Sequence, residues 1–117
     1  MTAGELLAEH VARFNDGVRS GTFERMLELF ADDAVLEFKG VPAGPFHGID
    51  AIRAAYLEQP PDDEISVHEA EARQDGDTIV APYGWRRDDG RRAGEMWMTI
   101  REARIARLVV TFDEQPG

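Results

Sequence analysis

The sequence predicts an α+β fold, on three observations. Up to about residue 58, apolar residues recur every three or four positions, the period of amphipathic helices. Beyond that point they fall in short runs separated by turn dipeptides, the pattern of strands joined by hairpins. No repeat, low-complexity tract or linker divides the chain, and 117 residues with 43% hydrophobic content suffice for one core, so 1–117 reads as one domain. Sequential strands with short connections make a mainly antiparallel meander, and helices segregated ahead of it give the α+β class.

Leu7, Val11, Phe14 and Val18 mark the buried stripe of a first helix, which "RSGTF" breaks. Thr22 is placed to cap a second helix, with Glu24 in its first turn, where a carboxylate suits the dipole. Phe23, Met26, Leu27 and Phe30 form the stripe of this helix. Asp32 and Asp33 oppose the dipole at a helix C-terminus, so the helix is expected to end near Ala31, with "AVLEF" as a short strand. "KGVPAGP" is a loop by its glycines and prolines, and "GIDAIRAAYLEQ" is a third helix stopped by Pro60 and Pro61. Four strands follow: "EISVHEAEARQ", "TIVAPYGWRR", "RAGEMWMTI" and "RIARLVVTFD". "DGD" at 75–77 and "DDG" at 88–90 are hairpin turns, and "REAR" makes the last turn without glycine.

The last three strands carry large apolar residues at both odd and even positions, whereas a sheet with one wet face should alternate. Three short helices cover only one face. A second copy of the chain on the other face is the expected solution, giving a homodimer through the outer sheet face.

Several chemistries are excluded or unsupported. Without cysteine there are no disulfides, thiolate metal sites or cysteine nucleophiles. No apolar run approaches the roughly 20 residues of a membrane span, and "MTAGELLAEH" lacks the pattern of a secretory signal, so a cytoplasmic location and no membrane partner are expected. A formal charge of −10 disfavours nucleic acid. The basic runs "GWRR" and "GRR" flank "DDG" and read as a solvated hairpin tip. There is no GxSxG, and Ser20 and Ser66 are the only serines. "HEAEA" has Ala72 where HExxH needs its second histidine, and His10, His47 and His68 fall on separate elements, so no metal or other cofactor is expected.

The segments "LFADDAVLEF", "GIDAIRAAY" after a glycine/proline loop, and a last strand ending "TFD" occur in an order that resembles the nuclear transport factor 2-like superfamily. That group includes ketosteroid isomerases, SnoaL-like polyketide cyclases and limonene-epoxide hydrolases. The resemblance implies a cone: a curved sheet wrapped around three helices, an apolar pocket open at one end, and a homodimer through the outer sheet face. It also implies that "FADDA" is a turn, so that Asp32 and Asp33 are solvated, and that Phe38 faces the pocket with Glu37 turned away.

Carried over residue by residue, the isomerase machinery is incomplete. The position of its proton-abstracting aspartate holds Phe38, and that of its oxyanion tyrosine holds Phe14. Its second acid falls on Glu95 and a supporting tyrosine on Tyr56. The carboxylates of the epoxide hydrolases are also missing from "ARLVVTF". Ketosteroid isomerase and epoxide hydrolase chemistry are therefore not expected. A SnoaL-like cyclase needs only one acid/base group, for which Glu95 and His47 are the candidates, with Phe14, Phe38, Tyr56, Trp97 and Phe112 as ligand contacts. Glu95 has two readings, a rim residue near the hairpin tip or a pocket acid whose desolvation raises its pKa. Two function classes follow: isomerase- or cyclase-type acid/base chemistry on a small apolar molecule, or a non-catalytic dimeric module that binds one.

Overall fold

The chain opens with Thr2, whose hydroxyl accepts from the Glu5 amide while the Glu5 carboxylate accepts from the Thr2 amide. This capping box satisfies two otherwise unpaired donors and starts helix α1, Ala3–Ser20. Gly21, at φ 86°, ends it in the left-handed conformation that glycine adopts without strain. Leu6, Leu7, His10, Phe14 and Gly17 form the buried stripe of α1, and Val11 and Val18 are half-buried at its edge. These observations come from a computed structural model that describes residues 1–113; residues 114–117 of the expected 1–117 domain lie outside the described residues.

Helix α2 is a single turn, Glu24–Leu27, and ends well before Ala31. Phe23, not Thr22, holds its N-cap position and makes no side-chain capping bond. The chain leaves the helix early because Phe30 already pairs with Ile105, whose amide donates to the Leu29 carbonyl at 2.9 Å. Strand β1 is therefore Phe30–Lys39, and "FADD" belongs to it rather than to a turn. Asp32 and Asp33 are exposed where the ladder slips between Phe30 and Val35. There Arg101 hydrogen-bonds Asp33 and holds its carboxyl below the usual range.

Between the glycine/proline loop and the third helix, Phe46–His47 forms a short strand β2, antiparallel to β1. Helix α3 is Ile49–Glu58, ending ahead of the two prolines. The first expected strand of the meander splits into β3 (Ile65–Val67) and β4 (Arg73–Asp75), both paired with β5 (Thr78–Trp85). Val67 lies opposite Tyr83 and Arg73 opposite Val80, so residues 68–72 must fit against Ala81 and Pro82 alone. The surplus is taken up in a 3-10 turn over Glu69–Glu71.

Strands β6 (Arg92–Arg101) and β7 (Arg104–Thr111) complete the meander. Their two-residue loop uses Glu102 and Ala103 at φ 51° and 64°, the doubly positive geometry of a tight hairpin, made here without glycine. The sheet runs β2-β1-β7-β6-β5-β3, with β4 also on β5. It is mixed, because β1 and β7 are parallel, and it curves around the helices without closing, the cone-shaped α+β arrangement.

The core lies between the helices and the inner sheet face, which carries Leu36, Ala81, Met96, Met98 and Leu108. On the outer face, apolar Val80, Trp97 and Val109 stand among Glu37, Lys39, Glu95, Arg107 and threonines. That face is mixed rather than apolar throughout, a correction to the strand-pattern reading. The alternation is real, but three apolar residues on the outer side mask it in sequence.

Candidate functional site

The packing of α1, α3 and the inner sheet face leaves a cavity of about 730 Å³, a usual size for small-molecule sites. Each wall follows from local structure. On α1, the spacing 7-10-14 carries His10 and Phe14 inward. On β1, alternation sends Leu36 and Phe38 inward and Glu37 outward. Tyr83 and Trp85 of β5, Met96 of β6 and Val110 of β7 continue the wall, and Tyr56 comes from α3. Phe112, 37% exposed, flanks the cavity with its ring centroid 6.4 Å from that of Phe38.

Of the ligand contacts expected from sequence, Phe14, Phe38, Tyr56 and Phe112 meet at this cavity, and Trp97 does not. Trp97 lies on the outer face, 39% exposed, with the Arg73 guanidinium 5.9 Å from its ring centroid. Glu95 shares that face. Its carboxylate lies 3.4 Å from Arg73 and 3.7 Å from Arg92, two cations that sequence reading left out of account. The pocket-acid reading of Glu95 is therefore corrected, since its side chain is on the face away from the cavity. Along β6, strand alternation sends Met96 and Met98 inward and Glu95 and Trp97 outward.

His47 is also outside the cavity. It pairs with Val35 and is exposed, whereas its neighbour Phe46, opposite Leu36, lines the wall. Among the described residues, no group of three or more histidines and carboxylates is placed to hold a metal ion.

The polar group sequence reading missed is His10. It is 1% exposed, lines the cavity, and meets the Phe30 ring edge-on at 5.7 Å between centroids. Its Nδ1 is fully buried with no hydrogen-bond partner. Burial alone pushes its pKa down to about 4, so the imidazole is neutral at neutral pH. The signal was present, since His10 is three residues after Leu7 and four before Phe14, on the apolar stripe itself.

Burial also raises the pKa of the Tyr56 hydroxyl and pushes that of Tyr83 up to about 12, with Asp113 adding to the latter. Both phenols therefore stay protonated. The Tyr83 hydroxyl donates to the Thr111 carbonyl at 3.0 Å. Among the described residues, no lysine or arginine lines the cavity, and its one carboxylate, Glu58, is on an exposed residue at the end of α3.

Comparison with known proteins agrees with this architecture. The family model of the SnoaL-like domain matches residues 11–108. No curated protein matches. An NTF2-like protein of unknown function from Cytophaga hutchinsonii superposes with a TM-score of 0.73 at 15% identity, covering 97% of this chain and 91% of its own. A candidate polyketide cyclase from Sinorhizobium meliloti is 25% identical, with a TM-score of 0.59 over 86% of this chain and 92% of its own. A candidate ketosteroid isomerase from Kribbella flavida is 14% identical, with a TM-score of 0.68 over 97% of this chain and 82% of its own. The two matches of lowest identity bear on the fold alone.

Proposed function

The chain belongs to the SnoaL-like domain family, and from that premise we propose that it binds a small apolar molecule in the cavity between its helices and the inner sheet face. The observation that carries this reading is the wall, built from Phe14, Leu36, Phe38, Trp85, Met96 and Val110 around about 730 Å³. Such a surface gains free energy by burying an apolar guest, at about 25 cal/mol per Å² removed from water. Acid/base chemistry by Glu95 is no part of the proposal, because its carboxylate lies on the opposite face of the sheet between two arginines. Among the described residues, the wall's carboxylate, Glu58, is exposed rather than buried, which favours binding without carboxylate catalysis.

The chain is further proposed to dimerise through the outer sheet face. Trp97, Val80 and Val109 supply its apolar part. Glu37 pairs with Lys39 and Arg107, and Glu95 with Arg73, so both signs of charge are available for a two-fold, self-complementary contact.

Titration with N-phenyl-1-naphthylamine, an uncharged fluorophore that brightens in apolar surroundings, tests the cavity. Saturable binding is expected. Phe38→Glu, which places a charge in the wall, should weaken it at least about tenfold. Glu95→Gln should leave it unchanged. No binding by the wild-type protein, or equal loss in both variants, would overturn the reading.

A further inference from the structure

His10 sits in the apolar wall without a partner. A buried imidazole nitrogen with no hydrogen bond costs about 1–3 kcal/mol, and such a group calls for an explanation. Its two nitrogens are not equivalent here. Nδ1 is sealed from solvent and unpaired. Nε2 is not among the sealed atoms and makes no hydrogen bond to the described residues, so the small surface that His10 retains opens on the cavity it lines.

A neutral imidazole carries one N–H and one bare nitrogen. Sealing a bare lone pair is the lesser cost, since orphaned N–H groups are rarer than under-satisfied acceptors. The proton therefore belongs on Nε2, which presents a donor to the cavity. The Tyr56 hydroxyl, kept protonated by burial, is a second donor in the same wall. Among the described residues, no cation lines the cavity to attract an anion. The surrounding rings, among them Phe14, Phe38, Phe46 and Trp85, suit a flat guest.

We propose that His10 Nε2–H is a recognition group for a single carbonyl oxygen, and that the cavity takes uncharged aromatic carbonyl compounds in preference to hydrocarbons or carboxylates of the same shape. This inference rests on the cavity reading above and adds the ligand class and the residue that selects it. The wall is apolar, so a carbonyl gives up its water on entering. One donor at the right depth repays that loss for a ketone, cannot repay it for an anion, and is wasted on a hydrocarbon.

Displacement of the bound fluorophore by 2-acetylnaphthalene, 2-ethylnaphthalene and 2-naphthoate is the test. The ketone should bind about tenfold more tightly than the hydrocarbon, equivalent to about 1.4 kcal/mol, and the carboxylate most weakly. His10→Leu should bring the ketone to the level of the hydrocarbon, read as the ratio of the two affinities within that variant, and His10→Gln, which keeps an N–H, should retain part of the preference. If the fluorophore binds but none of the naphthalenes displaces it, the carbonyl assignment falls and the cavity reading stands; if the fluorophore does not bind either, both fall. A hydrocarbon that binds as well as the ketone, or a preference that survives His10→Leu, also overturns the assignment alone. Should His10→Leu fail to fold, ¹⁵N NMR of the wild-type imidazole decides. A Nε2–H signal that moves with the ketone and not with the hydrocarbon supports the assignment, and one that moves with neither overturns it.

Discussion

Replacing His10 by leucine should make the protein less sensitive to acid. In the native state burial holds the imidazole pKa at about 4, against 6.5 for the exposed group. The unfolded chain therefore binds a proton that the folded chain refuses. Stability is complete above about pH 6.5, begins to fall as the pH drops through that value, and goes on falling until about pH 4, where the native ring is also protonated. Integrating between those limits gives a loss of about 2 kcal/mol at about pH 5, and about 3 kcal/mol once both states are protonated.

Among the described residues, burial alone sets this shift and no charged group offsets it. Phe30, Phe14 and Leu36 surround the cavity end of α1, and the titratable Tyr56 and Tyr83 stay neutral. Glu9 and Arg13, its neighbours on α1, pair with each other at 2.8 Å away from the buried stripe. For a chain of this length 1 kcal/mol moves the melting temperature by roughly 4 °C. Wild-type protein should thus lose roughly 8 °C between about pH 7.5 and about pH 5 through this residue alone. Thermal melts of both proteins across this range isolate the effect, because every other titrating group is common to both. The carboxylates held low by their partners, Glu5, Asp33 and Glu37, act at lower pH. At neutral pH His10→Leu should be at least as stable as wild type, having lost an unpaired buried nitrogen. Two curves that fall in parallel would refute the reasoning, since the native ring would then accept its proton as readily as the unfolded one.

Two further outcomes follow from the sheet. A Cβ on Gly94 would lie 1.8 Å from the Thr111 carbonyl oxygen, so Gly94→Ala must push β6 from β7. It should cost about 3 kcal/mol and lower the melting temperature by roughly 12 °C; a shift of a few degrees would show that the strands yield easily. Light scattering at micromolar concentration should give about twice the 13.1 kDa chain mass, and Trp97→Arg should return it to the monomer value. A monomeric wild type would remove the outer face as an interface.

The parts of the fold legible in sequence are those that local forces decide. Helix α1 follows from its stripe, α3 is bounded by the prolines beyond it, and the hairpin at "REAR" follows from the strands on either side. What failed was decided at long range. The end of α2 is set by Phe30 pairing with Ile105, a parallel contact that no local pattern encodes. The break between β3 and β4 arises because five residues must lie against two of β5, a mismatch visible only once the partner strand is known. Carboxylates were read as helix-ending signals at Asp32 and Asp33, yet an exposed strand residue paired with Arg101 accommodates them equally well.

The candidate site divides along the same line. Phe14 and Phe38 line the cavity where the family resemblance implied, and helical period and strand alternation hold those directions over short distances. Of the two readings of Glu95, the pocket acid fails, because it came from the family resemblance and β6 alternation turns this side chain to the outer face. Its immediate sequence could not correct the error, since Met96 and Trp97 look alike to a hydrophobic pattern although one lines the cavity and the other faces out. His10 presents the opposite case. Its position on the stripe was legible, but a histidine among apolar residues is usually satisfied by some neighbour, and only the packed structure reveals that Nδ1 has none. The polar character of the cavity thus moves from a carboxylate, which would demand a cationic or protonated partner, to a neutral imidazole, which demands only one complementary oxygen. Under the proposed reading, that change narrows the guests: charge on the ligand becomes a cost, and a single acceptor becomes the distinguishing feature.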